Sequence, residues 1–290
     1  MKDIIKTIVG SILIIILPKK AKQLSNKGMT IVVDLTLKER LMRHALLGKA
    51  KKNEDFETLS QFHQDFWTNR AEEYFSTRLF NNVLEDFFIP ECSFLVELLK
   101  DKLDKEDQKF NMLIEIGTGE GTVLNHLSLK LPNVDRFIGI DLSVAQIEAN
   151  KKIFIENQKL EFVASDAFDW IKENRNDHII ILTSNGVLEY FIQSRLQDFF
   201  NELSAVGKVI FVAIEPVGVN HDFLKNPNSE IYGVENSFSH NYIKMFKDAG
   251  FSIEHQSKRV FPNSDLYMDL ILANNYNYLQ IDKITTSNFL

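Results

Sequence analysis

Three glycines at alternate positions follow an apolar stretch, and their spacing is the clearest chemical signal in this sequence. Residues 113–121 read LIEIGTGEG, with Glu115 two positions before Gly117, and Gly119 and Gly121 following. Glycine lets the backbone turn tightly and lets a ligand lie against it. The helical pattern from Thr122 would direct its free N–H groups into the same space. The stretch therefore predicts a strand, a glycine turn and a helix that together bind a nucleotide-type ligand.

A second acidic residue strengthens this prediction. Asp141 ends the next apolar run, Phe137–Asp141, and one carboxylate at a strand tip suits the two hydroxyls of a ribose. The usual dinucleotide fingerprint, G-x-G-x-x-G, needs a later third glycine, but position 122 is Thr122. An NAD(P)-binding Rossmann oxidoreductase is therefore kept as the alternative.

In these residues the sequence resembles the class I S-adenosylmethionine (SAM) methyltransferases. Their first motif, E/D-x-G-x-G-x-G, matches residues 115–121, and their second-strand acid matches Asp141. Their third motif, an Asp followed by a small residue, matches Asp166 and Ala167. The resemblance covers residues 110–273 and implies an α/β fold. That fold is a Rossmann-like, doubly wound, seven-stranded sheet, mainly parallel with a C-terminal antiparallel hairpin, preceded by an α-helical N-terminal region.

The resemblance also implies SAM as the cofactor. Glu115 and the glycine loop, which includes Thr118, would hold the amino-acid end of SAM. Asp141 would hold the ribose, and Leu142 would pack against the adenine. Asp166 would meet the adenine amino group, and the Ala167 N–H its ring nitrogen. The alternative for each acid is a helix cap or a solvated turn.

The segment after the fourth predicted strand, residues 183–191 (TSNGVLEYF), resembles the corresponding segment of small-molecule methyltransferases. It adds Ser184 to the cofactor residues, and it makes Glu189 and Tyr190 candidate catalytic residues facing the methyl group. Tyr190 could equally be packed core. The segment lacks the N-P-P-Y/F signature of enzymes that methylate flipped bases, and also the acid that begins a catechol-type magnesium site. A nucleic-acid substrate and a metal are therefore both disfavoured.

A further resemblance lies upstream, in residues 66–74 (FWTNRAEEY). Small-molecule methyltransferases carry a Y/F-W-D-x-x-A-x-x-Y helix there, which closes over SAM. It implies that Trp67 and Arg70 contact the cofactor and that Tyr74 is a third catalytic candidate. Tyr74 lies seven positions after Trp67 and hence on the same helix face. The alternative is plain core packing.

The charged residues are distributed unevenly along the chain. Residues 1–52 carry 12 Lys or Arg and 3 Asp or Glu, whereas the remainder carries 21 and 37. An acidic catalytic part is poorly suited to a polyanion such as RNA. We predict a basic arm over 1–52, a helical substrate or lid region over 53–105, and a SAM-binding core over 106–290. The charged run Asp101–Lys109 is the predicted solvated linker.

The basic arm contains an apolar run, Thr7–Leu17, with lysines on both sides. Eleven residues fall well short of the roughly 20 that span a bilayer as a helix, and no small-x-small cleavage site follows. The run is either a helix packed on the domain or an interfacial anchor within residues 1–28 that meets an anionic membrane surface. A short secretory signal is the third reading. The single cysteine, Cys92, in an apolar setting, predicts packing in a reducing compartment. We expect a cytoplasmic protein, peripherally membrane-associated if the anchor reading holds.

Strands alternate with helices from residue 110, which is typical of a parallel sheet covered on both faces. The predicted strands are Phe110–Ile116, Arg136–Ile140, Leu160–Ala164, His178–Thr183, Lys208–Glu215, Phe251–Ser257 and Leu266–Ala273. Capping boxes predict helix starts at Thr36, Ser143 and Ser194, Pro90 predicts a helix start running to Leu99, and Asn241–Ala249 is predicted to end at Gly250.

These observations predict a SAM-dependent methyltransferase that acts on an oxygen or nitrogen atom of a small molecule, with lipid-linked and sugar acceptors included. Two alternatives keep the SAM site: a scaffold that binds SAM without turnover, and an enzyme that uses SAM for another transfer.

Overall fold

The computed structural model describes residues 2–30, 35–77, 82–106, 109–174, 177–205, 207–262 and 264–276. It contains a seven-stranded sheet whose strands lie in the order β3 (Leu160–Ala164), β2 (Arg136–Asp141), β1 (Met112–Ile116), β4 (His178–Thr183), β5 (Lys208–Gly218), β9 (Leu266–Asn274) and β8 (Ser252–Val260). The first five of these strands run parallel, and β9 and β8 pair antiparallel at one edge. The predicted fold class, including the final antiparallel hairpin, is confirmed.

The strand bounds agree closely with the hydrophobic runs of the sequence. They are β1 Met112–Ile116, β2 Arg136–Asp141, β3 Leu160–Ala164, β4 His178–Thr183, β5 Lys208–Gly218, β6 Glu230–Tyr232, β7 Ser237–Ser239, β8 Ser252–Val260 and β9 Leu266–Asn274. Strands β6 and β7 form a separate two-stranded sheet that the sequence pattern did not predict.

Four helices precede the sheet, and the others connect its strands or lead into it. They are α1 Lys2–Ile16, α2 Pro18–Asn26, α3 Leu37–Lys52, α4 Phe56–Thr77, α5 Ser93–Leu103, α6 Thr122–Lys130, α7 Val144–Ile153, α8 Ala167–Glu173, α9 Gln193–Ser204 and α10 Tyr242–Asp248. A π-helical segment, Leu84–Cys92, leads into α5, and a 3₁₀ turn, Leu188–Tyr190, lies between β4 and α9.

The central strands are buried except for the first residues of β4 and β5, because helices cover both faces of the sheet. Each face has its own hydrophobic cluster. A third cluster joins the N-terminal helices to the β6–β7 sheet through Met29, Met42, Phe62 and Phe238. The N-terminal helices are therefore packed against an element inserted between β5 and α10.

Local capping explains several helix starts. The Thr36 side chain accepts a hydrogen bond from the Glu39 N–H while the Glu39 side chain accepts one from the Thr36 N–H, the complete predicted capping box. The Ser143 side chain accepts from the Gln146 N–H at the start of α7. Gly250, which follows α10, has the left-handed φ of 88° expected after a helix end.

Three sequence predictions are wrong in detail. Ser194 does not cap α9, because the helix already begins at Gln193 after Ile192. Pro90 lies inside the π-helical segment rather than at a helix start. The predicted solvated linker is partly buried, since Lys102 is 4% exposed and its ammonium lies 2.7 Å from a carboxylate oxygen of Glu254.

Candidate functional site

The glycine loop between β1 and α6 follows the carboxyl end of β1, and each of its glycines has a left-handed backbone. The φ angles are 67° at Gly117, 49° at Gly119 and 71° at Gly121, a region that costs other L-residues about 1–2 kcal/mol. The Gly117 and Thr118 N–H groups both donate to the Ile140 carbonyl, at 2.8 and 3.0 Å. The alternate spacing of the glycines is thus what allows the loop to fold back onto the end of β2.

Glu115 lies beneath this loop, not in the space above it. Its carboxylate accepts hydrogen bonds from the Thr118 hydroxyl at 2.7 Å and the Ser184 hydroxyl at 2.6 Å. Burial raises the pKa of Glu115 to about 7, against the effect of those two hydroxyls. The carboxylate therefore joins the glycine loop to the loop after β4.

Asp141 ends β2 and is tied to backbone on both sides. Its Oδ2 accepts from the Gly119 N–H at 3.0 Å, and its Oδ1 from the Ser143 N–H at 2.9 Å. Burial raises the pKa of Asp141, while these N–H donors oppose the shift. A carboxylate offers about four lone-pair directions, so these backbone donors leave capacity for a hydroxyl of a ribose.

Asp166 has two roles at the end of β3. Its Oδ1 accepts from the Phe168 and Asp169 N–H groups, so it caps α8. Its Oδ2 lies 2.8 Å from a guanidinium nitrogen of Arg195. The alternative reading of Asp166 as a helix cap is therefore correct for Oδ1. Its Oδ2 instead faces the guanidinium of Arg195, a contact that the sequence did not predict.

A buried carboxylate also shapes the loop after β4. Glu215 of β5 accepts hydrogen bonds from the Val187 and Leu188 N–H groups, both at 3.0 Å. Burial raises the pKa of Glu215 to about 7, and the two N–H donors oppose the shift. This contact fixes the loop so that Val187 lies directly over Gly117, where an added Cβ would be 2.5 Å from a Val187 methyl carbon.

The 3₁₀ turn presents Glu189 and Tyr190 to the same space, opposite the β6–β7 sheet. The Tyr232 hydroxyl donates to Glu189 Oε2 at 2.5 Å, and the Tyr190 hydroxyl donates to Glu235 Oε2 at 3.1 Å. Burial, followed by the charge of Glu235, holds the pKa of Glu189 well above its ordinary range. Burial likewise raises the pKa of Glu235, against the Tyr190 hydrogen bond and the charge of Arg43.

Helix α4 places aromatic rings next to Tyr190 of the 3₁₀ turn. Trp67 packs edge-to-face on Tyr74 with centroids 5.2 Å apart, and its ring lies 5.5 Å from that of Tyr190. Arg70 points elsewhere, donating to Glu73 Oε1 at 2.9 Å and to the Gly28 carbonyl at 3.4 Å.

One cavity of about 540 Å³ runs along these elements, within the roughly 300–1,000 Å³ usual for small-molecule sites. Most of the predicted site residues line it, namely Gly117, Thr118, Gly119, Asp141, Leu142, Asp166, Ala167, Ser184, Trp67, Tyr74, Glu189 and Tyr190. The other three do not: Glu115 and Gly121 support the loop from outside the lining, and Arg70 faces away.

The cavity also has a set of lining residues that sequence reasoning missed. They are Arg195 on α9 and, on or next to the β6–β7 sheet, Tyr232, Glu235 and Ser237. The only local signal was an acid and a tyrosine next to Gly233 in a stretch with no clear periodicity. These side chains reach the site through tertiary packing alone.

Comparisons with known proteins agree with this architecture. Residues 113–209 match the family model for a methyltransferase domain. The carboxy-S-adenosyl-L-methionine synthase of Helicobacter hepaticus is 28% identical over 145 residues, which are 48% of this chain and 57% of that protein. The match thus spans little more than half the length of that curated relative.

Two solved structures share the fold. Magnesium protoporphyrin IX methyltransferase from Synechocystis PCC 6803 with bound SAH has a TM-score of 0.50 and 13% identity, covering 75% of this chain and all of that one. Geranyl diphosphate C-methyltransferase from Streptomyces coelicolor A3(2) has a TM-score of 0.50 and 14% identity, covering 75% of this chain and 98% of that one. At these identities the likeness concerns the fold.

Proposed function

Residues 113–209 are a class I SAM-dependent methyltransferase domain, and on that premise we propose that the chain transfers a methyl group from SAM to an oxygen or nitrogen atom of a small molecule. The observation that carries the proposal is the single cavity, because the glycine loop and Asp141 line one part of it and Glu189 another. The left-handed glycines let the loop turn so that Gly117 and Gly119 line the cavity where a cofactor would lie. The residues present therefore fit SAM.

The cofactor roles follow the positions in the cavity. Asp141 would hold the ribose with its remaining lone pairs, and Leu142 would pack against the adenine. Asp166 and the Ala167 N–H would meet the adenine edge. The backbone from Gly117 to Gly119 would hold the amino-acid end, with Glu115 fixing the loop from below.

When bound, SAM supplies a sulfonium methyl group for an in-line displacement, so the protein mainly aligns the acceptor and excludes water. Glu189 is the proposed general base for a hydroxyl acceptor or for an amine that arrives protonated. The Tyr190 and Tyr74 rings would orient the acceptor. Glu189 is buried and lies next to Tyr232, and the 3₁₀ turn that carries it ends before α9, so it does not cap that helix.

Turnover is tested by incubating the full chain with SAM and fractionated small-molecule and lipid extracts, and measuring S-adenosylhomocysteine. We expect formation that depends on one fraction. With the acceptor in hand, Glu189→Gln should lower turnover about 10²–10⁴-fold, the usual range for general-base catalysis, at unchanged SAM affinity. Tight SAM binding without product from any fraction would favour the scaffold alternative, and turnover within a few-fold of wild type would rule Glu189 out as the base.

We also propose that the basic arm attaches the protein to anionic membranes and that the acceptor is lipid-linked. One face of α1 packs on α3, where Gly10 meets Leu41 and Ala45. The opposite face exposes a row of isoleucines, with exposures of 65% at Ile4, 55% at Ile5, 55% at Ile8, 49% at Ile12, 78% at Ile15 and 65% at Ile16. A helix packed on the domain and an interfacial anchor are therefore compatible interpretations of the apolar run. One face of α1 packs on α3, and the opposite face is exposed and could contact a membrane.

Charge and length agree with a surface role. Lys6 on α1 and Lys19 and Lys22 on α2 are exposed, although Lys6 also pairs with Asp3, and each lysine near an anionic leaflet contributes about 1 kcal/mol. Among the described residues, no helix combines the length and apolarity that a bilayer crossing requires. The helix would lie in the interface plane.

Vesicle flotation of the full chain tests this attachment. The variant Ile8→Asp/Ile12→Asp/Ile15→Asp should lower binding to anionic vesicles at least tenfold, because it places three charges in the proposed contact. The matched control is Leu129→Asp/Ile153→Asp, which changes exposed apolar residues elsewhere. Equal flotation of both variants would exclude the arm as the attachment.

These proposals assign a role to each of the three predicted segments. Residues 1–52 would provide attachment, 53–105 the lid over the acceptor end, and 106–290 the SAM-binding core. The excess of acidic residues after position 52 supports a small-molecule acceptor over a nucleic acid.

A further inference from the structure

One end of the cavity, where α4, the 3₁₀ turn and β6 meet, is walled by aromatic rings. Trp67 and Tyr74 come from α4, Tyr190 from the 3₁₀ turn and Tyr232 from β6, and all four line the cavity. The Trp67 ring lies within 5.5 Å, centroid to centroid, of those of Tyr74 and Tyr190. Such faces attract a cation placed within about 6 Å of a ring centroid.

Two carboxyl groups face the same space. Glu189 is 8% exposed and accepts a hydrogen bond from Tyr232, and Glu235 accepts one from Tyr190. Each of these partners is a neutral hydroxyl. Two acids facing one buried space cannot both ionise at low cost unless enough positive charge lies beside them.

The surrounding charges compensate for these acids only in part, through Arg43 beside Glu235. Besides each other, Glu189 faces Glu215, and Glu235 faces Asp265 and Arg43. Arg43 donates to the carbonyls of Met29 and Thr30, both at 2.7 Å, and does not line the cavity. Among the described lining residues, Arg195 is the only Lys or Arg, and it pairs with Asp166.

A third observation is independent of the acids. The indole N–H of Trp67 is buried and has no hydrogen-bond acceptor among the described residues. A buried donor without a partner is costly, and here it belongs to a ring that lines the cavity. A ligand oxygen at this end of the cavity would accept that hydrogen bond.

We propose that this end of the cavity binds a protonated amine, held between the carboxylates of Glu189 and Glu235 and against the rings of Trp67, Tyr74 and Tyr190. The inference rests on the proposed function and names its acceptor as an amine with a neighbouring oxygen atom. The ammonium group supplies the missing positive charge and lets both carboxyls ionise. Burial raises the pKa of each carboxyl, so entry of the cation releases protons.

The chemistry balances in this arrangement. The ammonium gives one N–H proton to Glu189, which frees the nitrogen lone pair. The nitrogen then bonds to the methyl carbon as the carbon–sulfur bond breaks and its electron pair returns to sulfur. The positive charge moves from sulfur to nitrogen, where the Glu235 carboxylate stabilises it while Glu189 carries the proton. A hydroxyl acceptor would yield a neutral product and make no use of the second carboxyl.

The test compares two molecules of the same shape that differ in charge. Choline and its neutral isostere, 3,3-dimethylbutan-1-ol, are titrated calorimetrically into the full chain saturated with S-adenosylhomocysteine. We expect choline to bind at least tenfold more tightly, with affinity rising from pH 6 to pH 8.5. Choline has no titratable nitrogen, so that rise reports the protein carboxyls.

Variants then locate the cation. Glu189→Gln and Glu235→Gln should each lower choline affinity about tenfold and leave the neutral alcohol unaffected. The control Glu148→Gln changes an exposed acid on α7 that pairs with Lys151, and it should bind choline like wild type. Equal binding of choline and the alcohol by wild type, a comparison that needs no variant, would overturn the inference.

The same titrations separate the competing explanations. If both variants lose preference for SAM over S-adenosylhomocysteine while choline binding is unchanged, the carboxyls serve the sulfonium and the inference is wrong. If wild type binds neither SAM nor S-adenosylhomocysteine, the proposed function itself fails, and the amine site fails with it.

Discussion

Replacing Gly117 by alanine tests how the glycine loop is held against the loop after β4. Gly117 has φ of 67°, which costs alanine about 1–2 kcal/mol. An added Cβ would also lie 2.5 Å from Val187 Cγ2, far inside ordinary contact, and such overpacking costs typically about 1–3 kcal/mol. The Val187 loop cannot retreat freely, because Glu215 accepts its N–H. We expect Gly117→Ala to lower the free energy of unfolding by roughly 2–5 kcal/mol.

The two contributions are separated by a double-mutant cycle with Val187→Ala. In the double variant the nearest side-chain atom of residue 187 is its Cβ, 3.4 Å from the new methyl group. The clash therefore disappears and only the backbone strain remains. We expect the double variant to be more stable than the sum of the single effects by about 1–3 kcal/mol. Urea unfolding of all four proteins gives the free energies by linear extrapolation.

Gly48→Ala is the matched control. Gly48 lies in α3 with no atom within 4 Å of an added Cβ, so alanine should stabilise the helix by up to about 1 kcal/mol. Additive effects of Gly117→Ala and Val187→Ala, within about 0.5 kcal/mol, would show that the two loops do not meet as described. A Gly117→Ala protein as stable as wild type would refute the strain argument as well.

Other predictions concern stability and reactivity. Thr36→Ala should lower the free energy of unfolding by about 1 kcal/mol through loss of the capping box, whereas Thr36→Ser should retain it; equal effects in thermal unfolding would contradict the cap. Cys92 is fully buried, and burial raises its pKa to about 12, so a thiol reagent should label it only in denaturant. The pKa of Glu215 rises from 4.5 to about 7 on folding, so the folded state binds more protons and stability should fall as pH rises through that window. Each pKa unit corresponds to about 1.4 kcal/mol, and Glu215→Gln should flatten the fall by about 1–3 kcal/mol; a stability that rises over pH 5–8 in the ligand-free protein would contradict this.

The parts of the fold that the sequence predicted are those with a local physical cause. The left-handed backbone of the loop after β1 favours glycine, so the spacing of the glycines in the sequence predicts where the loop turns. Strands β3 and β4 begin and end where their apolar runs do. The Thr36 capping box needs only two residues three positions apart, and it forms as predicted.

The acceptor end could not be predicted in the same way. Tyr232 and Glu235 reach the cavity because the β6–β7 sheet packs against the N-terminal helices, a contact between segments far apart in sequence. Arg70 lies on the same helix as Trp67 and Tyr74, three residues after Trp67. Its side chain nevertheless donates to the Gly28 carbonyl instead of lining the cavity. Periodicity gives the face of a helix, and only packing decides what that face meets.

The most direct test of the central claim is calorimetric titration of the full chain with SAM, with NADH as the competing ligand. We expect one SAM per chain and no NADH binding. Asp141→Ala should lower SAM affinity about ten- to a hundredfold, the worth of a charge-assisted hydrogen bond of roughly 1.5–3 kcal/mol, and Gly119→Val should abolish binding by placing a side chain in the cavity. NADH binding without SAM binding, or unchanged SAM affinity in both folded variants, would contradict the assignment of this cavity as the SAM site of a methyltransferase.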